Sequence, residues 1–142
     1  MARPSGEKCR CSGKWTEARY RSFIKSGLRV LTKKWEPIQE TLRLSKVRHG
    51  VYKCAECKQE VSRTKTVDGV RVTNIIVDHV NPVVALDNIG YPSWDSVIER
   101  MFCERVDKDG NVNLQALCYD CHKEKCSEEA AIRTEVRRNA KQ

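Results

Sequence analysis

Two Cys-x-x-Cys knuckles, Cys54-x-x-Cys57 and Cys118-x-x-Cys121, constrain this chain more than any other feature. Tetrahedral zinc takes soft ligands, and two knuckles of this spacing supply four thiolates in pairs. Knuckles of a simple zinc ribbon lie roughly 15–20 residues apart, whereas 60 residues separate Cys57 from Cys118. A metal held here therefore closes a large loop. Four cysteines leave no open position for water, so the site reads as structural. The chain has use for such a staple, because 142 residues that are 6% aromatic and 32% charged bury only a modest core.

The remaining cysteines carry a weaker signal. Cys9 and Cys11, with Cys103 and Cys126, offer a second zinc set, but Cys-x-Cys is poor evidence, and the four are read as free thiols. The N-terminus lacks an apolar export segment, so thiols on metal are expected rather than disulfides, in a cytoplasmic protein. No apolar run approaches 18 residues, so no membrane span is expected.

Inside the loop lies Ile75-Ile-Val-Asp-His-Val-Asn-Pro82, a buried strand that ends on an Asp-His pair. The stretch Asn113-Leu-Gln-Ala-Leu-Cys-Tyr-Asp-Cys-His122 supplies a second strand over Val112–Leu117 and a helix starting near Cys118. One residue advances about 100° around a helix, so His122 faces away from the metal that Cys121 binds. Taken alone, Asp78-His79 equally suits a salt-bridged strand end. His122 alone suits a chance neighbour of the knuckle or an outer group to the zinc.

Elsewhere the pattern is coarser. Residues 1–14 read as a loose arm. Thr16 can cap a helix whose apolar positions, Tyr20, Phe23, Ile24, Leu28, Leu31 and Trp35, read as core. Pro37 suits the first turn of a second helix over about 37–48, ended by His49-Gly50, with His49 structural or solvated. Residues 51–61 read as strand, knuckle and returning strand. A polar turn follows around Asp68-Gly69, and Arg71–Val77 leads into Asp78. In the 32 residues from 80 to 111, Ser93 can cap a short amphipathic helix that packs on the core as a lid. The tail from Ser127 reads as an exposed helix.

Charge divides the chain. Residues 1–50 hold 13 Lys/Arg against 4 Asp/Glu, while residues 51–142 carry a net charge of −1. Arg21, Lys25, Arg29 and Lys33 recur every four residues, a ridge of positive charge along the first helix. Such a ridge is a solvated face or a track for phosphates, and the asymmetry favours nucleic acid.

Taken together, Asp78-His79-x-x-Pro82, Asn113-Leu and Leu117-Cys-x-x-Cys-His122-x-x-Lys125, inside paired knuckles, closely resemble the HNH endonuclease family over about residues 51–126. The preceding helical pattern and Glu99-Arg-Met-Phe-Cys-Glu104 resemble the small phage-encoded members. The resemblance implies an α+β fold, a ββα-metal core stapled by a four-cysteine zinc site. Its expected divisions are a flexible basic arm over 1–14, basic DNA-binding helices over 15–50, the nuclease domain over 51–126 and a C-terminal helix over 127–142. Asp78 and His122 would ligate a catalytic Mg²⁺ or Mn²⁺, other divalent ions being admissible. His79 would be the general base and Asn113 would hold the loop that orients it. Cys54, Cys57, Cys118 and Cys121 would bind structural zinc. Arg21, Lys25, Arg29, Lys33 and Lys125 would contact DNA.

The implied function is metal-dependent hydrolysis of DNA phosphodiester bonds in a host cytoplasm, alongside other phage DNA-processing or packaging proteins. The alternative is a non-catalytic zinc-stapled nucleic-acid-binding accessory protein. The chemistry is coherent on its own terms. An imidazole with a pKa of about 6.5 suits a base near neutral pH. A hard ion on one carboxylate and one imidazole keeps room for water and phosphate oxygens. One tension is local: adjacent residues of a regular strand face opposite ways, so Asp78 and His79 are expected to share a site only where the strand distorts.

Overall fold

A computed structural model describes residues 6–142; the first five residues of the expected arm lie outside it. The described residues form a mixed α+β structure of four helices and four small sheets. None of the helices is long and apolar enough to cross a membrane. The chain divides into two compact units, Met1–Lys34 and Trp35–Gln142.

In the first unit, β1 (Lys8–Arg10) pairs antiparallel with β2 (Trp15–Thr16). The tight connection passes through Cys11, Ser12 and Gly13, all at positive φ. From Lys8 onward the expected loose arm is therefore a hairpin. Arg10 ties it to the next element, with Nε 2.8 Å from a Glu17 carboxylate oxygen and its guanidinium 4.0 Å from the Tyr20 ring centre. Helix α1 (Glu17–Thr32) starts as its sequence suggests, with the Thr16 hydroxyl accepting from Arg19 N–H. Its apolar stripe is not plain core, because Phe23 and Leu31 are 66% and 54% exposed.

The second unit opens on α2 (Glu36–Ser45), with Pro37 in its first turn. The helix stops short of the expected end, and Lys46–Arg48 form β3, which turns through His49-Gly50 onto β4 (Val51–Lys53). β4 pairs in turn with β5 (Glu60–Ser62). Next, β6 (Thr64–Val67) and β7 (Val70–Thr73) make a hairpin around Asp68-Gly69, both at the positive φ that a type I′ turn requires. The strand expected over Arg71–Val77 breaks at Asn74. This buried residue donates its N–H to Arg63 O and accepts Tyr119 N–H on Oδ1, so it belongs to a junction rather than a ladder.

After the break come β8 (Ile75–His79), α3 (Trp94–Met101), β9 (Leu114–Cys118) and α4 (Tyr119–Ala140). β8 and β9 are antiparallel in unbroken register, from Ile75↔Cys118 to His79↔Leu114. Both strands contact α4 and α2. Thus α2 belongs with the sheet it covers and not with a separate N-terminal extension, and α4 runs on without a boundary near residue 126.

The core is small. Tyr52, Ile75 and Ala116 pack with Leu42 and Val61, and Cys54, Leu117 and Cys118 form a second knot. A fully buried leucine such as Leu117 contributes about 1.5–3 kcal/mol. Helix α3 is capped by Ser93 and buries Val97 and Met101, as the lid reading expects. The long loop before it is tied from both flanking helices: Arg100 Nε donates to Pro82 O, and Arg133 donates to Val84 O and Ala85 O.

Candidate metal centre and active site

Four sulfurs gather where the β4–β5 knuckle meets the start of α4. The chain reverses after Cys57 through Lys58, whose φ of 63° lets its N–H reach back to Cys54 O. Ala55 N–H donates to Ala116 O at 2.8 Å, which locks the knuckle to β9. On the other side, Cys118 and Cys121 lie at the β9–α4 junction. The Sγ atoms of Cys54, Cys57, Cys118 and Cys121 all lie within 4.8 Å of one another, and Cys57 to Cys118 is 3.9 Å. Sulfurs on one tetrahedral zinc stand about 3.8 Å apart, and all eight cysteines are free of disulfides. These four can hold a metal ion such as zinc.

The electrostatics agree with that donor set. Burial opposes ionisation of Cys54, but backbone N–H groups of Cys118, Cys57 and Glu56 outweigh it and bring the thiol down to about 7. Burial pushes Cys118 and Cys121 up, reinforced by the neighbouring sulfurs. Without a cation, one thiolate at the centre suppresses the next. A divalent ion removes that conflict.

The second cluster lies where β8 ends. Asp78 turns toward α4, with Oδ1 3.7 Å from His122 Nε2 and Oδ2 2.8 Å from Lys125 Nζ. Gln115, its cross-strand partner, offers Nε2 to Oδ2 at 3.4 Å. The Asp78–His122 gap is too long for a hydrogen bond. Ligand atoms on one ion at about 2.1 Å stand roughly 3.0–3.4 Å apart, so a small side-chain adjustment lets both reach a shared divalent ion. Among the described residues, the four-cysteine set is the one group of three or more such side chains this close together, and Asp78–His122 is a pair.

His79 points elsewhere. The β8–β9 ladder continues through it without a register shift, so the expected distortion is absent and neighbours alternate faces. Its Nε2 lies 2.8 Å from Met101 O, at the end of α3. A carbonyl only accepts, so Nε2 carries a proton, and in the neutral ring Nδ1 is the free acceptor. The backbone of His79 is fixed as well: its carbonyl accepts from Lys125 Nζ at 2.9 Å, and the following Val80 N–H donates to Asn113 O at 2.9 Å. Asn113 also sends Nδ2 to Glu104 O, so it joins the end of β8 to the segment entering β9.

Lys125, read from sequence as a phosphate contact, spends its three N–H donors inside the protein. Besides Asp78 and His79 O, it reaches Glu129 Oε1 at 2.6 Å. Burial lowers its pKa, and the two carboxylates more than reverse this, leaving it above the usual lysine value. Glu129 and Gln115 are the partners that sequence reading missed. The signal for Glu129 was present, since His122, Lys125 and Glu129 recur on one face of α4. Cys126 lies on that face too, 3.7 Å from His122 Nε2, and not with Cys9, Cys11 or Cys103 in a second cysteine set. Arg21, Lys25 and Arg29 fall on successive turns of α1 and Lys33 is its C-cap, in the other unit. No family model, curated protein or solved structure matches this chain.

Proposed function

We propose that this protein is a metal-dependent DNA endonuclease of the HNH type, phage-encoded and acting in a host cytoplasm with other DNA-processing or packaging proteins. The observation that carries the reading is the Asp78 carboxylate facing His122 Nε2 at 3.7 Å, beside a four-sulfur cluster that fixes the start of α4. In this reading Asp78 and His122 hold Mg²⁺ or Mn²⁺. When bound, that ion supplies Lewis acidity at the scissile phosphate and the leaving oxygen.

The remaining work falls to the chain. Met101 O holds the His79 ring with its proton on Nε2, which leaves Nδ1 to take a proton from water. Because Asp78 and His79 face opposite ways on an undistorted strand, the phosphate has to bridge the end of β8 in this reading. Asn113 keeps that end in place, and Lys125 orients Asp78 by occupying one of its two oxygens. Structural zinc on Cys54, Cys57, Cys118 and Cys121 fixes the position of His122.

A nicking assay on supercoiled plasmid tests the proposal. Wild type is expected to cut with Mg²⁺ or Mn²⁺, and His79→Ala to lose at least about 100-fold in rate while still binding DNA. One observation favours a second reading. Lys125 already neutralises Asp78 without any metal, as suits a non-catalytic zinc-stapled nucleic-acid-binding accessory protein. Wild type that binds DNA and never cuts with any divalent ion decides for that reading.

A further inference from the structure

An open groove of about 500 Å³ lies within the Trp35–Gln142 unit, between the end of α2, β3 and β9. Three aliphatic side chains line it while largely in water: Leu44, Val47 and Val112 are 62%, 46% and 51% exposed. Single exposed aliphatics are ordinary, but a cluster around one concavity marks a contact surface. Lys46, Lys53 and Lys58 line the same groove, and all three are exposed. None of them has an ion-pair partner among the described residues, and no acidic side chain lines the groove.

Charge therefore selects an anionic occupant, and the apolar lining selects one with greasy side chains. Nucleic acid fits less well. The groove has no aromatic ring on which a base could stack and no arginine fork for a phosphate. We propose that the groove docks a segment of a partner protein in which Asp or Glu residues flank two or three aliphatic or aromatic anchors. The anchors settle on Leu44, Val47 and Val112 while the acids meet the three lysines. Such a surface combines apolar contacts with charged ones, which together give an interface its affinity and its selectivity. The inference does not depend on catalysis.

Selection of displayed random peptides of about 12 residues on the zinc-loaded full chain tests it. Enriched sequences are expected to be rich in Asp and Glu around Leu, Ile or Phe. Their synthetic versions should shift amide resonances of residues 44–47, 53–58 and 112–116. The Lys53→Glu/Lys58→Glu variant should weaken them by about tenfold or more. Val112→Asp provides an independent check that leaves the lysines in place and should weaken binding similarly. The proposal is overturned if no peptides enrich, if enriched peptides lack acids, or if they bind wild type and variants alike. It is equally overturned if a short DNA duplex shifts the same amides and displaces the peptides.

Discussion

The ammonium of Lys125 sits among Asp78 Oδ2, Glu129 Oε1 and His79 O at 2.8, 2.6 and 2.9 Å. Its neutral replacement, Lys125→Met, leaves two carboxylates facing each other without a counter-charge. The side chains are only 15–24% exposed, so part of the cost survives solvent screening, about 1–2 kcal/mol. Thermal denaturation should show this loss, and, if a divalent ion binds Asp78 as proposed, added Mn²⁺ should recover it by taking over the ammonium's role. A lysine that served only DNA would instead lose affinity for DNA without losing stability. The ammonium's own share of that loss should not vary between pH 6 and 9. The folded pKa of Lys125 is raised above the ordinary 10.5, so its contribution is complete below that value and fades only as pH rises past the folded pKa. Among single residues, the approach of Asp78 to His122 was legible because each closes a spaced motif. Gln115 was not, because its approach to Asp78 depends on a strand register that no local pattern states.

At the scale of elements, the four-cysteine cluster joins the β4–β5 knuckle, β9 and the first turn of α4, and it sits inside the packing of Val61 and Ala55 on Leu117. Removing its metal should therefore cost more than a local loop. Chelation, or Cys54→Ser at a fully buried sulfur, is expected to lower the melting temperature of the Trp35–Gln142 unit by about 10 °C or more, with recovery of the chelated protein on zinc addition. Proton counting gives a sharper check. With Cys54 brought down to about 7 and Cys118 and Cys121 pushed up, the last two hold their protons near neutral pH. Zinc binding at pH 7.5 should release at least about two protons, measured by calorimetry in buffers of different ionisation enthalpy, and affinity should fall as pH drops. Release of fewer than two protons would mean the thiols are not the ligands. The knuckle, the Thr16 and Ser93 caps and the Asp68-Gly69 turn were legible because each is written within a few residues. The break at Asn74 and the place of α2 were not. Asn74 is fixed by Arg63 and Tyr119, and α2 by Tyr52, Ile75 and Ala116 through Leu42, partners that lie far off in the chain.

For the molecule as a whole, the basic ridge and the proposed chemistry fall on different units. The chain carries +8, yet residues 51–142 together carry −1, and Arg21, Lys25 and Arg29 on α1, with Lys33 at its C-cap, stand in the Met1–Lys34 unit. If that ridge follows a DNA backbone, each cation that neutralises a phosphate releases a counterion. The logarithm of affinity then falls with the logarithm of salt by about 0.9 per contact. Replacing all four by Gln, which keeps helix propensity near that of Lys and Arg, should flatten that slope by about 3–4 and weaken binding about uniformly across DNA sequences. Circular dichroism should show the helix intact. The cut itself, assigned to Asp78, His79 and His122 in the other unit, should keep its kcat while KM rises with the lost encounter charge. A slope unchanged by the four substitutions would make the ridge a solvated face and move the DNA contact elsewhere. A fall in kcat equal to the fall in kcat/KM would mean that the ridge acts in the transition state, and the division of labour between the units would not hold.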